Sequence, residues 1–478
     1  MKDVIIIGAG VIGATVARNL AKYKLDCLVL EKNSDVGDET SSANSAIVHS
    51  GYDPHPGTKK AFHNVRGNEM FTKECEELDV EMERIGSLTI ATNLEECEIL
   101  DKLYKNALDN GVEVKMVCRE ELFKMEPFVT KKALKALYAP TAGIINPFEL
   151  VVALMENAMD NGVELYLDEE VNDIKKTNNG YLVKTNKGEY ETKVVINAAG
   201  VESDTINNYV NDKKEKILPR KGEYYVLDHF TNSNEKYVSH TLFSVPSSKG
   251  KGVLVSPTTH GNFLIGPSSE FTGDKEDKAT DKETLDNVLE QAKRLVDDIP
   301  LKYLIREFSG VRSYHESNDF VINEPQKGFI NLLGIQSPGL ASSPSIGLEV
   351  EEMVSKELKL EPKENYNPRR RPLIRLNKKT LEEREELIKK DPNFGVMVCR
   401  CEKVSLGEVL DAIHRNCGAR TIKGVKKRVR PGFGKCQGGF CEPLINKILA
   451  NELGKDQLDI NYSNIGSYIL LKKTKEEE

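Results

Sequence analysis

Three glycines that follow a short apolar strand constrain this chain more than any other feature of its sequence. They are Gly8, Gly10 and Gly13, spaced as G-x-G-x-x-G, and the strand before them is the run at residues 3–7. The first glycine permits a tight turn, the second lets a pyrophosphate approach the backbone, and the third lets the following helix pack closely on the strand. An acidic residue, Glu31, follows 18 positions after the third glycine, where it can accept hydrogen bonds from a ribose.

The residues after the glycines complete a strand–helix–strand unit. Residues 11–23 have helical periodicity, and residues 28–30 form a second apolar strand. The N-terminus of that helix would offer hydrogen-bond donors and positive potential to a bound pyrophosphate. The pattern predicts a dinucleotide-binding unit, and a glycine-rich turn without a ligand is the alternative. The glycines do not distinguish FAD from NAD, because both dinucleotides use this fingerprint.

Length and composition limit the classes of protein that remain. With 478 residues the chain exceeds what one core supports, and about three domains are expected. A formal net charge of -8 argues against general nucleic-acid binding, which needs a strongly basic face. No run of 18 apolar residues is present, and the N-terminus lacks the cleavage region of a signal peptide. We therefore predict a cytoplasmic protein without a transmembrane segment, and leave peripheral membrane association open.

Apolar runs further along the chain indicate two kinds of sheet. Residues 192–200 and 328–335 are candidates for buried strands, and their wide separation predicts a discontinuous α/β domain. A helix with apolar periodicity is predicted at residues 346–358. Four shorter runs, punctuated by Gly and Pro, are typical of an antiparallel sheet: GEYYVLD, GVLVSPT, GNFLIGP and DFVINEP.

Cysteine spacing singles out the C-terminal end. Five of the nine cysteines crowd into 43 residues, and in a cytosolic protein such a group indicates a metal site before it indicates disulfides. Cys399 and Cys401 form C-x-C, and Cys436 and Cys441 form C-x4-C. A zinc knuckle usually separates each pair by two to four residues, whereas a [2Fe–2S] cluster takes two thiolates on each iron. Zinc stays the alternative. Cys417 fits no ligand position and is expected to be a buried thiol.

This arrangement resembles the bacterioferritin-associated-ferredoxin-like [2Fe–2S] domain in all four cysteine positions. The resemblance implies that Cys399, Cys401, Cys436 and Cys441 are the metal ligands. Glycines beside the last two would let backbone amides reach the cluster sulfurs. The basic run at residues 423–435 is expected to offset the negative charge of the cluster, to meet an acidic partner or to form a solvated face.

Three further segments resemble the D-amino-acid-oxidase-type FAD oxidoreductases. They are TSSANSAIVHSGYDPHPGTKKA at residues 40–61, NAAG at residues 197–200 and GIQSPGLASSPSIG at residues 334–347. The family includes FAD-dependent glycerol-3-phosphate dehydrogenases and L-2-hydroxyglutarate dehydrogenases, and the resemblance covers about residues 1–355. It implies that FAD lies extended along the α/β domain, with its flavin facing the β-rich domain.

The resemblance and the glycine fingerprint together assign cofactor contacts. Small polar residues after the second strand would bond the phosphates or the flavin. The resemblance implies that the start of the helix predicted at residues 346–358, preceded by Gly339 and residues 342–345, approaches the flavin edge where charge accumulates on reduction. The predicted cofactor-binding residues are Gly8, Gly10, Val11, Ile12, Gly13, Glu31, Lys32, Thr40, Ser42, Asn44, Ser45, Val171, Ala199, Gly200, Gly310, Gly339, Leu340, Ala341 and Ser342.

Two residues are predicted to be catalytic. His49 matches a histidine of the hydroxy-acid and glycerol-phosphate members, and a histidine can act as a base near neutral pH. Arg312 matches an arginine at the substrate end, where its planar fork can bind a carboxylate or phosphate. A surface salt bridge is the alternative for this arginine. Other predicted substrate contacts are Tyr52, Arg220, Tyr224, His260 and His315. These residues predict that the substrate is a small anionic secondary alcohol.

The predicted fold is a discontinuous Rossmann-like α/β FAD domain with an antiparallel β-rich substrate domain and a small C-terminal [2Fe–2S] domain. The expected boundaries are 1–80, 141–215 and 325–360 for the FAD-binding domain, 81–140 and 216–324 for the substrate domain, 361–395 for a linker with a short helix, 396–452 for the [2Fe–2S] domain and 453–478 for a solvated tail.

The combination of both resemblances implies a function. The C-terminal module is similar to that of anaerobic-type A-subunit-like glycerol-3-phosphate dehydrogenases, which oxidise sn-glycerol 3-phosphate to dihydroxyacetone phosphate by hydride transfer to FAD. The catalytic half is also similar to L-2-hydroxyglutarate dehydrogenases, so a 2-hydroxy acid is the alternative substrate. An electron-transfer subunit without its own substrate is a third hypothesis. A cluster beside a flavin implies an electron-accepting partner subunit or carrier, since no second dinucleotide fingerprint is present.

Overall fold

The computed structural model describes residues 1–229, 237–246 and 252–475, so the last three residues of the predicted tail lie outside the described part. Its strands, numbered along the chain, are β1 (Lys2–Ile7), β2 (Cys27–Leu30), β3 (Ile47–Val48), β4 (Met82–Glu83), β5 (Ser87–Ala91), β6 (Lys115–Cys118), β7 (Lys135–Ala139), β8 (Gly143–Ile145), β9 (Glu164–Tyr166), β10 (Val171–Thr177), β11 (Gly180–Thr185), β12 (Glu189–Asn197), β13 (Ile217–Leu227), β14 (Thr241–Ser244), β15 (Leu254–Pro257), β16 (Phe263–Gly266), β17 (Glu270–Phe271), β18 (Leu304–His315), β19 (Val321–Gln326), β20 (Phe329–Leu333), β21 (Met397–Cys399) and β22 (Val404–Ser405).

The α-helices are numbered in the same way. They are α1 (Val11–Leu20), α2 (Lys59–Leu78), α3 (Leu94–Asp109), α4 (Arg119–Met125), α5 (Pro147–Asp160), α6 (Ser203–Val210), α7 (Lys282–Ala292), α8 (Gly339–Glu357), α9 (Leu381–Lys390), α10 (Leu406–His414), α11 (Ile422–Val429) and α12 (Glu442–Leu453).

The first sheet is centred on β1, which pairs in parallel with β12 on one side and with β2 on the other. Strands β9 and β20 extend the parallel part, and β10 and β11 form an antiparallel flap on β12. Alternate residues of β1 pack on opposite faces: Val4 and Ile6 join the core under α1, α2, α5 and α8, while Ile5 and Ile7 join the core on the other face. Burial on both faces explains the continuous apolar sequence of this strand. The predicted α/β fold is confirmed.

Two predicted elements of this domain differ in the structure. The run DFVINEP, assigned to the β-rich sheet, is β19, which pairs antiparallel with β20 in the first sheet because Gly328, at φ +75°, turns the chain back as a hairpin. The helix predicted at residues 346–358 begins earlier, at Gly339. Pro344 normally prevents such an early start, because it lacks the amide that would bond the carbonyl of Leu340. The hydroxyl of Ser343 donates to that carbonyl instead, at 2.9 Å.

The second sheet has nine strands, in the order β17-β13-β16-β15-β14-β5-β7-β6, with β18 also paired to β13. Its pairs are antiparallel except β5 with β14, so the predicted antiparallel sheet is present with one parallel pair. The long β13–β18 ribbon places Arg220 directly opposite Arg312. A third, small sheet has three strands in the order β3-β8-β4.

The segment at residues 361–395 contains the expected short helix, α9. Its N-terminal part packs on the α/β domain, because its arginines form ion pairs there. Arg370 is 3% exposed and bonds Glu156 at 2.9 Å, and Arg375 bonds Asp79 at 2.8 Å. The many charges of this segment therefore serve intramolecular ion pairs rather than solvation alone.

The C-terminal helices and the β21–β22 hairpin enclose their own core, which includes Cys399 and Cys441. Helix α11 joins this domain to the α/β domain through buried charges. Arg428 donates to both carboxylate oxygens of Asp35 at 2.8 Å, and the ammonium of Lys427 lies 2.9 Å from Asp35 and 3.0 Å from Asp38. The expectation of a solvated face or a partner contact for this part of the basic run is therefore wrong, because these side chains are buried against the loop after β2.

Within the described residues, no helix is both long and apolar enough to cross a membrane. The cytoplasmic location stays a prediction.

Asp35→Asn should weaken the docking of the C-terminal domain by about 3–5 kcal/mol, because it leaves two buried cations without their shared anion. Hydrogen exchange of the α11 amides measures this opening free energy. The matched control is Asp173→Asn, whose carboxylate is 37% exposed and only 3.7 Å from Lys175, and it should change nothing measurable. Unaltered α11 protection in Asp35→Asn would contradict the account.

The contact of Asp35 with Arg428 and Lys427 also predicts how the free energy of domain docking depends on pH. Burial alone would raise the pKa of Asp35, but Arg428 and Lys427 outweigh it and hold the pKa well below its usual range. The contribution of Asp35 is therefore present above its ordinary pKa of about 3.9 and is lost as the pH falls below that value.

Candidate functional site

A cavity of about 760 Å³ extends from the glycine turn to the β13–β18 ribbon. Its volume is within the usual range for ligand and cofactor sites. The predicted residues that line it are Gly10, Val11, Ile12, Thr40, Asn44, Ser45, His49, Gly200, Arg220, Tyr224, Arg312, Gly339 and Leu340. The structure therefore brings both predicted catalytic residues and most of the cofactor segments to one space.

The glycine turn has the close approaches that its motif requires. Gly8 has φ +100°, and a Cβ at this position would lie 2.6 Å from the carbonyl oxygen of Ala198. A Cβ at Gly13 would lie 1.9 Å from the carbonyl oxygen of Gly8. Helix α1 begins at Val11 without a side-chain cap from Gly10, and the N–H groups that follow in its first turn, at Ile12 and Gly13, have no intrahelical partner. This is a cradle that fits a pyrophosphate.

Glu31 is buried at the end of β2, where its oxygens accept backbone N–H groups of Ala9 at 2.7 Å and of Asn33 at 2.9 Å. Burial raises the pKa of this carboxyl, and the two N–H bonds oppose that effect. Each carboxylate oxygen can accept a second hydrogen bond, so the group fits a ribose hydroxyl. Lys32 and Val171 do not line the cavity; Lys32 lies 3.5 Å from Glu276, and Val171 belongs to the core on the outer face of the sheet.

The segment after β2 is held against β18. The hydroxyl of Thr40 donates to the carbonyl of Val311 at 2.6 Å, and a Cβ at Gly310 would lie 2.2 Å from the carbonyl oxygen of Ala43. Gly310 therefore acts by allowing this approach and does not line the cavity. Ser42 turns its hydroxyl to the carbonyls of Asp38 and Glu39 and likewise does not line it.

The neighbouring Ser41 was missed by the sequence predictions. Its hydroxyl accepts the N–H of Val11 at 2.9 Å, at the first turn of α1. Ser41 lies within the TSSANSA segment, so membership of that segment could have predicted a contact near the cofactor site.

The start of α8 is divided between two environments. Gly339 and Leu340 line the cavity, whereas Ala341 and Ser342 face α2, where a Cβ at Gly67 would lie 2.1 Å from the carbonyl oxygen of Ala341. The N–H of Gly339 donates to the carbonyl of Gln336 at 2.6 Å, whereas the N–H groups of the next two residues of α8 have no intrahelical partner and can face a bound anionic group. Ala199 also lies outside the lining, while its neighbours at 198 and 200 contribute to it.

The substrate end has two adjacent arginines. Arg312 donates from Nη2 to the carbonyl of Ser268 at 2.7 Å, and Arg220 lies over the rings of Phe271 and Tyr314. Burial and then the charge of Arg312 lower the pKa of Arg220. Two guanidinium groups on neighbouring strands create a strongly positive wall, which fits a phosphate or carboxylate.

His49 lies on another wall of the cavity. Its Nε2 is 3.4 Å from the hydroxyl of Ser337, and its ring centroid is 5.8 Å from that of Phe243. Its backbone carbonyl accepts hydrogen bonds from the side-chain amides of Asn64 and Asn68 of α2 at 2.6 and 3.0 Å, which hold His49 against that helix. The side chain of Tyr224, stacked on Phe308, reaches the hydroxyl of Ser45 at 3.1 Å.

Three predicted substrate residues do not line the cavity. Tyr52 donates or accepts at Thr89, 2.8 Å away, inside an apolar core. His315 bonds Glu215 at 3.1 Å, in the register position three residues beyond Arg312.

His260 is partly buried, and desolvation followed by nearby cations, Arg430 foremost, lowers its pKa to about 2. It bonds Thr259 at 2.9 Å and lies near Glu81. His260 was predicted to contact the substrate. In the structure it instead lies beside the C-terminal domain.

The four C-terminal cysteines form two pairs. The sulfurs of Cys401 and Cys436 are 3.8 Å apart, and Cys399 is hydrogen-bonded to Cys441. That bond, followed by backbone N–H donors, lowers the pKa of Cys399 to about 6. Among the described residues, no group of three or more His, Cys, Asp or Glu side chains is arranged to hold a single ion. Two pairs of thiols, free of disulfides, fit two irons with two thiolates on each. Cys417 is buried elsewhere, 3.6 Å from Arg428.

Comparison with known proteins agrees with both halves of this geometry. The profile of the "FAD dependent oxidoreductase" family matches residues 3–353, and that of the "BFD-like [2Fe-2S] binding domain" matches residues 397–451. A protein of Caloramator mitchellensis named glycerol 3-phosphate dehydrogenase is 48% identical over 100% of both chains. An L-2-hydroxyglutarate dehydrogenase of Indibacter alkaliphilus is 26% identical over 72% of this chain and 96% of its own.

A solved structure is also similar. It is the dithionite-reduced L-alpha-glycerophosphate oxidase of Mycoplasma pneumoniae with FAD bound, which is 32% identical and superposes with a TM-score of 0.74. The match covers 78% of this chain and 99% of that chain.

Gly13→Ala should weaken FAD binding, because its Cβ would overlap the carbonyl oxygen of Gly8. Overpacking of this kind costs about 1–3 kcal/mol, or roughly ten- to hundredfold in affinity. The measurement is FAD content per chain after gel filtration, followed by a titration of FAD. Gly273→Ala is the control, since nothing lies within 4 Å of its added Cβ. Full FAD occupancy in Gly13→Ala would show that the turn does not hold the cofactor.

Proposed function

We propose that this chain, which belongs to the FAD dependent oxidoreductase family, oxidises sn-glycerol 3-phosphate to dihydroxyacetone phosphate and passes the electrons through its [2Fe–2S] domain to a partner acceptor. The observation that carries the proposal is the relative named glycerol 3-phosphate dehydrogenase, which is 48% identical and matches this chain from end to end. The match includes the C-terminal domain as well as the catalytic half.

The charge of the cavity supports an anionic substrate. Arg312 and Arg220 face one another across the β13–β18 ribbon, and the carbonyl of Ser268 holds the first of them in place. The phosphate of the substrate would bind here, since the planar fork of an arginine bonds two of its oxygens at once.

The reaction also needs a base. Bound FAD supplies a hydride acceptor, and the residues of the chain must remove the proton of the hydroxyl. His49 lies on the cavity wall with its Nε2 near Ser337, and neutral imidazole accepts a proton from an alcohol near neutral pH. We therefore propose His49 as the base, with Arg312 fixing the substrate so that its hydroxyl meets Nε2.

The C-terminal domain supports a dehydrogenase rather than an oxidase. The glycerophosphate oxidase of known structure aligns over 99% of its length with only 78% of this chain. The thiol pairs lie in a part of the chain that docks on the loop between Glu31 and Thr40. A cluster there would take electrons singly from the flavoprotein half and deliver them to a carrier or partner subunit.

The test of this proposal is anaerobic mixing of the FAD- and cluster-loaded protein with sn-glycerol 3-phosphate or L-2-hydroxyglutarate, followed at the flavin absorbance. Bleaching by glycerol 3-phosphate is the expected result. Bleaching by L-2-hydroxyglutarate alone would assign the chain to the activity of its 26% identical relative. No bleaching by either compound would favour an electron-transfer subunit without a substrate of its own.

His49→Ala should slow flavin reduction by glycerol 3-phosphate by about 10²–10⁴-fold, because the base is lost while the binding groups remain. Single-turnover stopped-flow measures the rate at saturating substrate. His414→Ala is the matched control: that imidazole is 59% exposed, pairs with Glu452 and should leave the rate unchanged. An equal rate in His49→Ala would remove this histidine from the mechanism.

Arg312→Lys should raise the dissociation constant of glycerol 3-phosphate by roughly tenfold or more while FAD stays bound, because the charge is kept and the fork is lost. Substrate dependence of the bleaching rate gives the constant. Arg294→Lys, at an arginine 52% exposed, controls for the substitution itself. Loss of FAD in parallel with loss of substrate binding would mean that Arg312 has a structural role.

A further inference from the structure

The loop that carries two of the cysteines has one side against the rest of the chain and one side in solvent. On the inner side, the ring of Phe433 is 5.5 Å from that of Phe148, and Gln437 accepts a hydrogen bond from Arg306 at 3.2 Å. On the outer side, Lys435 is exposed and Phe440 is 88% exposed. The outer side therefore presents a bare aromatic ring one residue before Cys441.

The four cysteines are divided in the same way between a buried side and a solvent side. Cys399 and Cys441 are buried, whereas Cys401 is exposed and Cys436 is partly exposed. The 3.8 Å approach of Cys401 to Cys436 brings the residues beside both of them to one surface. We call this surface, which includes the exposed Cys401, the outlet, because electrons would leave the cluster there.

Four basic residues lie within six positions of these cysteines in the sequence. They are Arg400, Lys403, Lys435 and Lys447, all exposed, and within the part of the chain that the structure describes none of them forms a salt bridge. Two acidic residues lie beside the cysteines: Glu402 pairs with Arg430 at 2.8 Å, and Glu442 is partly buried, 3.5 Å from the hydroxyl of Tyr462. Helix α12 adds Leu444, 40% exposed, one turn after Phe440. The result is an apolar centre with a positive rim on a chain whose net charge is -8.

We propose that this surface, formed by Phe440, Leu444 and the rim of Arg400, Lys403, Lys435 and Lys447, is the docking site of an acidic one-electron carrier protein. The inference rests on the proposed function. A positive rim steers an acidic partner, and an exposed aromatic ring supplies the apolar contact at the centre. A protein carrier fits better than a membrane surface, because the surface includes an exposed cluster ligand and a lipid headgroup cannot accept an electron.

The electrons balance with such a carrier. Oxidation of one glycerol 3-phosphate releases two electrons and two protons. Two molecules of oxidised carrier each take one electron in turn at this surface, and the two protons enter solvent.

The soluble haem domain of cytochrome b5, an acidic one-electron carrier, serves as the probe, and basic cytochrome c is the comparison. We expect the loaded protein to bind cytochrome b5 more tightly than cytochrome c, with an affinity that falls as salt is raised. Lys435→Glu/Lys447→Glu should weaken cytochrome b5 binding by roughly tenfold. The control is Lys102→Glu/Lys105→Glu, an equal charge change on exposed residues of α3, and it should bind as the wild type does.

Phe440→Ser, which changes no charge, tests the apolar centre and should weaken binding even at high salt. Absorbance of the flavin and the cluster shows that each variant is loaded. Two results would overturn the proposal. In one, all variants bind cytochrome b5 equally; in the other, the variants keep binding cytochrome b5 but lose binding to phosphatidylserine vesicles.

The failure of the docking proposal is distinguishable from the failure of the proposed function. Bleaching by glycerol 3-phosphate is measured on the same samples without any carrier. Bleaching without selective cytochrome b5 binding would refute only the docking site. Selective binding without bleaching would refute only the substrate.

Discussion

Asp35 holds two cations that come from the opposite end of the chain, and the arrangement of both redox sites depends on it. Arg428 and Lys427 are buried with it, so the contact either forms completely or leaves unpaired charge in a dry interface. The loop that carries Asp35 runs from Glu31, which accepts the N–H of Ala9 in the glycine turn, to Thr40, which lines the cavity. The C-terminal domain therefore docks on the loop that spans the cofactor site.

This arrangement explains the chemistry of the basic run in the C-terminal domain. Lys427 and Arg428 are used inside the molecule, and the exposed cations beside the cysteines, such as Lys435, remain for contact with other proteins. The cavity of the flavoprotein half has a positive wall at Arg312. The outlet of the cluster half is also positive. Both surfaces suit anionic partners, a small one inside the cavity and a large one outside.

The sequence was sufficient where local geometry decides the outcome. The glycine turn and the apolar strands beside it follow from short motifs whose physics is confined to a few residues. The C-x-C and C-x4-C motifs single out four cysteines, but the pairs in the structure, Cys401 with Cys436 and Cys399 with Cys441, each join one motif to the other. The sequence was insufficient where long-range packing decides. The burial of Arg428 depends on Asp35, 393 positions away, and the early start of α8 depends on one hydroxyl, that of Ser343. His315 and Arg312 share β18 and lie three positions apart, so their side chains point to opposite faces of the sheet and only Arg312 lines the cavity.

The central claim is that substrate electrons reach the cluster inside one chain. Anaerobic rapid-freeze quenching after mixing with sn-glycerol 3-phosphate, read by electron paramagnetic resonance alongside the flavin absorbance, tests it most directly. The account predicts that the flavin band bleaches first and that the signal of a reduced [2Fe–2S] cluster, which takes one of the two electrons, then rises with no partner present. A flavin that stays bleached beside a cluster that stays oxidised would contradict it.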